Sequence, residues 1–169
     1  MQTKSIPLSF DKSEAAEEMA KPLIANYHTH LVNCRIAYLY RNKPMNEGGR
    51  TVFAKAKKCS TEVKSLCEAS GGEAYDFYII INYEVWNTLS DTQQRAVLDH
   101  ELCHCWVEDD EKTGEPKYKI LPHGLSEFSE ILDRYGPEVF DDLKRFCELA
   151  REKLDKAEEP VVILKKEEE

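Results

Sequence analysis

The residues with the most evident chemistry are His100, Glu101 and His104, in the stretch His100-Glu101-Leu102-Cys103-His104. An α-helix repeats every 3.6 residues, so side chains four apart lie one above the other on one face. Two imidazoles stacked in this way can close on one zinc ion, and the intervening carboxylate is near enough to act on a water bound to it. A hydrolytic zinc site needs a third protein ligand and a position left to solvent. Three further histidines exist: His28, His30 and His123. His28 and His30 are two apart and diverge on a helix, so both read as packing or solvent residues. His123 lies nineteen residues beyond His104, at the mouth of a new helix, and is the candidate third ligand. Glu127, one turn further on, is the alternative ligand, or a residue that orients one. Cys103 and Cys105 flank His104, but helical geometry turns them from the histidine face, which favours packing.

These side chains depend on the elements that carry them. Ser90-Asp91-Thr92-Gln93 is a capping-box pattern, so a helix should start there and run to about Trp106. On it, Val97, His100, Glu101 and His104 share one face. Leu98, Leu102 and Trp106 form a second stripe that can anchor the helix to a core. His123-Gly124 opens another helix that runs through Tyr135 and stops at Gly136-Pro137. A last helix has an apolar stripe of Phe140, Leu143, Cys147, Ala150 and Leu154.

Upstream, residues 11–33 have helical periodicity with Ser13 as cap and Pro22 as a kink or a second start. Arg35–Tyr40 reads as a short strand. Arg50–Lys57 reads as a second strand paired to it, with Val52, Ala54 and Ala56 on one side. A polar link through Gly71-Gly72 leads to Tyr75–Tyr83, whose apolar centre suits a buried central strand. Asp109–Pro116 is a charged surface loop, and Tyr118–Leu121 a short strand. The expectation is an α+β fold with a small, mostly antiparallel sheet of three to four strands flanked by helices. Residues 1–158 would form one domain, and 159–169 a charged tail.

Composition narrows the class of function. No apolar run approaches the roughly 20 residues of a membrane helix. The first ten residues lack the apolar core of an export signal, which points to a cytoplasmic protein with no membrane partner. The six cysteines include no Cys-x-x-Cys pair, so free thiols are expected rather than disulfides or a zinc ribbon. The net charge of −9 is uneven: residues 1–72 hold 11 Lys/Arg against 7 Asp/Glu, leaving 12 against 25 for the remainder. The cluster Lys55, Lys57, Lys58 and Lys64 has no interleaved aromatics and reads as a solvated face. Nucleic acid is not expected as an autonomous partner.

A family resemblance adds to this. His123-Gly124-Leu125-Ser126-Glu127-Phe128, following the His-Glu-Leu-Cys-His helix, resembles SprT-like zinc metalloproteases, in which such a segment supplies the third histidine. Ala96 through Cys105, His123 through Phe128 and Arg134-Tyr135-Gly136, with Trp86 and the strand at Tyr75–Tyr83, resemble the phage metallopeptidase family. The resemblance implies a minimal zincin-like domain, phage- or prophage-encoded and so placed in the host cytoplasm. It implies zinc held by His100, His104 and His123, and a protein or peptide substrate. In that mechanism Glu101 is general base to a metal-activated water. The substrate would lie as an added strand on the exposed sheet edge. Tyr135 is a candidate oxyanion donor. The competing expectation is a zinc-stabilised, non-catalytic phage protein that binds a host factor.

Overall fold

The computed structural model describes residues 6–122, 125–136 and 138–139. The chain begins with β1 (Phe10–Lys12), α1 (Glu14–Tyr27), a 3₁₀ turn (Thr29–Leu31) and β2 (Ile36–Arg41). A small ribbon of β3 (Asn46–Glu47) and β4 (Arg50–Thr51) precedes β5 (Ala54–Lys58), α2 (Thr61–Ala69) and β6 (Phe77–Asn82). Then come α3 (Tyr83–Trp86), α4 (Asp91–His104), β7 (Cys105–Asp109), β8 (Pro116–Ile120) and α5 (Leu125–Tyr135).

Four strands form the main sheet in the order β1-β2-β6-β5. The outer pairs, β1 with β2 and β5 with β6, are antiparallel, and the central pair β2–β6 is parallel. The fold is therefore α+β with a mixed sheet. The parallel pair arises because the chain passes through β3, β4, β5 and α2 before returning to lie beside β2. The strand expected at Arg50–Lys57 is β5, and it pairs with β6 rather than with β2. The free side of β2 is taken by β1, too short at three residues to leave a periodic signal. The apolar run Phe77–Asn82 takes the centre, as its composition predicts.

The core lies between one face of this sheet and the helices α1 and α4. Ile36 and Tyr38 of β2, Phe77, Ile79 and Ile81 of β6, and Ala54 and Ala56 of β5 face Ala16, Ala20 and Leu23 of α1 and Val97, Leu98 and Leu102 of α4. The α1 residues recur at helical spacing, so one stripe enters the core while Pro22 sits exposed on the opposite side of a continuous helix. Ser13 accepts from the Ala16 N–H, the cap its position suggests. The expected single helical stretch over 11–33 is divided: α1 ends at Tyr27 and the 3₁₀ turn follows.

At the start of α4, the Ser90 hydroxyl accepts from the Gln93 N–H while Gln93 Oε1 accepts from the Ser90 N–H, so the capping box is complete. The helix ends at His104 and does not reach Trp106. Cys105 turns extended (φ −82°, ψ 118°) because residues 105–109 are drawn into a ladder with β8. Leu98 and Leu102 are fully buried, whereas Trp106, now on a strand, is 37 % exposed and stands outside that stripe. The α2 helix lies where a polar link was expected. None of its residues is buried, and Val63 and Leu66 face solvent.

Gly136 ends α5 with φ 80° and its N–H on the Leu132 carbonyl, a left-handed C-terminal position that glycine adopts without strain. The expected last helix and the 159–169 tail lie outside the described residues. Among the described residues no helix is long and apolar enough to cross a membrane.

Candidate metal centre

Both histidines of the motif stand on the last turn of α4 and aim the same ring nitrogen at the same point. His100 Nε2 and His104 Nε2 are 3.3 Å apart, with the rings perpendicular and their centroids 4.9 Å apart. Two imidazoles bound to tetrahedral zinc at the usual bond length hold their nitrogens about 3.3 to 3.4 Å apart. The donor set therefore fits the ion in type and in spacing. The same distance also suits a hydrogen bond between the rings, and the proton count decides between the two. His104 is half of that answer. Its Nδ1 lies 2.8 Å from the Leu121 carbonyl, where it donates, which leaves the Nε2 lone pair for a ligand. The Leu121 N–H returns a 2.8 Å bond to the His104 carbonyl, so the end of β8 is fastened to the end of the motif helix.

Glu101 is buried, and its Oε2 accepts from the Ala56 N–H at 2.7 Å. The register explains why that N–H is available. The Asn82 N–H bonds to the Phe53 carbonyl, and the Cys59 N–H to the Asp76 carbonyl. Odd-numbered residues of β5 thus turn their backbone groups to β6, and Ala54, Ala56 and Lys58 turn theirs outward. The motif carboxylate consequently lies against the outer edge of the sheet, one residue along α4 from His100. Alanine at 54 and 56 lets α4 approach that edge closely, and both side chains are buried there.

Asp99, one residue before His100, is fully buried on another side of α4. Arg134 Nη1 of α5 lies 2.7 Å from each of its carboxylate oxygens, and His28 Nε2 lies 2.6 Å from Oδ1. Burial alone would raise this carboxyl group. The hydrogen bonds from His28 and Arg134 and the positive charge beside it reverse the sign and hold it below the ordinary Asp range. The Tyr27 ring covers the guanidinium at 4.2 Å. His28, Asp99 and Cys103 are a group that could hold a cation, with donor atoms within 4.8 Å of one another. The positive charge next to Asp99 is already supplied by Arg134.

The other candidate residues fall as follows. His123 lies outside the described residues. Glu127 is in α5, with its side chain also outside them. The Tyr135 phenol is pushed up by burial first and then by the Asp99 carboxylate beside it, so it belongs to the Asp99 cluster. Cys105 is fully buried, its Sγ 3.7 Å from the Glu101 carbonyl. Burial and the nearby Glu101 charge raise its thiol well above the usual value. Its full burial and its contact with the Glu101 carbonyl make it a packing residue. His30 meets the Cys105 carbonyl through Nε2 at 3.1 Å and packs on Trp106.

Sequence reasoning missed the partners of these groups: the Leu121 carbonyl, the Ala56 N–H and the Arg134 guanidinium. Only Asp99 carried a signal, as a lone acid at the end of the apolar run Ala96-Val97-Leu98, which a buried helix tolerates only with a partner.

The family described as Putative phage metallopeptidase matches residues 8–151. No curated protein and no solved structure matches the chain.

Proposed function

The chain belongs to the phage metallopeptidase family, and from that premise we propose that it is a zinc-dependent peptidase acting on protein or peptide substrates. The observation that carries this reading is the pair of Nε2 atoms 3.3 Å apart, on the same helix whose Glu101 carboxylate is held at the sheet edge. His100 and His104 are two ligands. His123 is the third, with Glu127 as the alternative. The bond between His104 and Leu121 supports the choice of His123, because two residues of chain reach no more than about 7 Å. A bound zinc ion supplies a polarised water and a Lewis acid for the scissile carbonyl.

Glu101 takes the proton of the attacking water on its carboxylate and returns it to the leaving amine. Its fixed orientation against β5, one residue from His100, supports that role. The substrate adds as a strand along β5, bonding to the outward backbone groups of Ala54 and Lys58 on either side of the Ala56 N–H that Glu101 holds. To serve as oxyanion donor, Tyr135 would have to turn its phenol away from Asp99. The His123–Phe128 segment supports kinship with SprT-like proteases and a minimal zincin-like architecture, and the phage family supports action in the host cytoplasm.

One observation favours a different reading, a zinc-stabilised phage protein that binds a host factor without turnover. The bond from Ala56 N–H gives Glu101 a structural duty that needs no catalysis. Glu101→Gln separates the two. For a peptidase, cleavage of a peptide library falls about 100-fold or more while stoichiometric zinc is retained. For a binding protein, no cleavage exists to be lost. In both cases His100→Ala removes the zinc. Native protein that takes up no zinc rejects the metal centre altogether.

A further inference from the structure

We propose that Asp99, Arg134 and His28 form a clasp that positions the chain segment carrying the third metal ligand against the His100/His104 helix. The inference rests on the metal-centre reading and deepens it. Two ligands are fixed on α4, but both candidates for the third, His123 and Glu127, belong to the segment that opens α5. A ligand from a separate element is useful only if that element is held in place to within a few tenths of an ångström.

The described contacts between these helices centre on one buried carboxylate. Arg134, in the last turn of α5, reaches both Asp99 oxygens at 2.7 Å. His28, the residue that ends α1, reaches Oδ1 at 2.6 Å. Tyr27 of α1 lies over the guanidinium at 4.2 Å, so α1, α4 and α5 meet at a single charge. Asp99 and Ile131 are both fully buried, which keeps water from competing with the bonds. Asp99 is also next in sequence to His100, so a shift of the clasp moves the ligand helix and the third ligand relative to each other.

His28 and Asp99 of the clasp also lie with Cys103 in a group that could hold a cation. The guanidinium argues against that. A cation bound there would have to displace a charged group already bonded to both oxygens. Arg134, Asp99 and His28 are accordingly positioning residues, not ligands.

The test uses the full chain loaded with zinc. Arg134→Gln removes the charge but leaves a polar side chain, and Tyr27→Leu removes the cover of the guanidinium without touching the ion pair. For each, zinc affinity is measured by competition with a chelator, and the number of coordinated imidazoles or carboxylates by X-ray absorption at the zinc edge. Loss of an outer partner of a metal site costs about 10- to 100-fold in affinity. The clasp predicts a loss of that size for Arg134→Gln, with one protein ligand replaced by solvent. It predicts a smaller loss in the same direction for Tyr27→Leu, and recovery toward native values for Arg134→Lys. A purely structural role would lower the melting temperature and leave the coordination of the folded fraction unchanged. Folded Arg134→Gln with native affinity and ligand count overturns the clasp and leaves the metal centre standing. Should Arg134→Gln not fold, native zinc affinity and unchanged coordination in Tyr27→Leu overturn it equally. Native protein without stoichiometric zinc overturns the metal centre itself.

Discussion

Glu101 has two claims on its carboxylate, and they can be separated by substitution. As a proton acceptor it needs charge; as the partner of the Ala56 N–H it needs only an oxygen. Glutamine keeps the oxygen and loses the charge. Alanine loses both and leaves a buried N–H without its acceptor, a loss of about 1 to 3 kcal/mol. Glu101→Gln should therefore melt near the native temperature, and Glu101→Ala several degrees lower. Equal melting temperatures for the two variants would show that the bond to β5 does not matter to the fold. The pair also guards the proposed activity test, because lost cleavage in the glutamine variant then cannot be blamed on a collapsed sheet edge.

Among the elements, the β7–β8 hairpin is half legible in the sequence, β8 being the strand expected at Tyr118–Leu121 and β7 having no expected counterpart, and it is one of the most consequential. It carries Leu121 to His104, and it packs Tyr118 on Phe77, ring centroids 5.6 Å apart, with the Lys64 ammonium 4.2 Å from the Tyr118 ring. Burial, and then the charge of Asp76, push the Tyr118 phenol up to about 12. The folded chain thus holds this proton more tightly than the unfolded chain does. The stability so contributed is intact below the ordinary tyrosine value near 10 and is lost as pH rises from there towards 12. Denaturant midpoints measured across that window should fall, and Tyr118→Phe should flatten the part of the slope due to this residue. An identical slope in the variant would contradict the assignment.

The first strand of the hairpin was hard to foresee for a physical reason: nothing local at Cys105 stops a helix. The chain leaves α4 because residues 105–109 find partners on β8, a contact that periodicity does not encode. By contrast, the start of α4 was legible because its capping box is local. The missing α2 reflects the converse case, a helix whose apolar residues Val63 and Leu66 face solvent and so leave no core-facing stripe. At the site, the spacing of His100 and His104 was enough to predict their convergence. The Arg134 guanidinium is thirty-five residues from Asp99 and could be found only in space.

For the whole molecule, the family match over residues 8–151 extends from before β1 to beyond α5, so it takes in every described element of the fold. If the metal centre joins α4 to the segment before α5, zinc should be part of the energetics of the entire domain. A ligand that binds only the folded chain stabilises it by about 2.7 kcal/mol when free at 100 times its dissociation constant. For a protein of this size that is a rise in melting temperature of about 5 to 11 °C. Thermal unfolding of metal-free protein with and without added zinc should show that rise, and a chelator should reverse it. His100→Ala should abolish the response with little change in the metal-free melting temperature, since the imidazole is only partly buried. Removal of residues 159–169, which lie beyond the family match, should leave the response intact. A native chain indifferent to both zinc and chelator would mean that the two imidazoles meet in a hydrogen bond rather than around an ion, and that the domain is held by its sheet and helices alone.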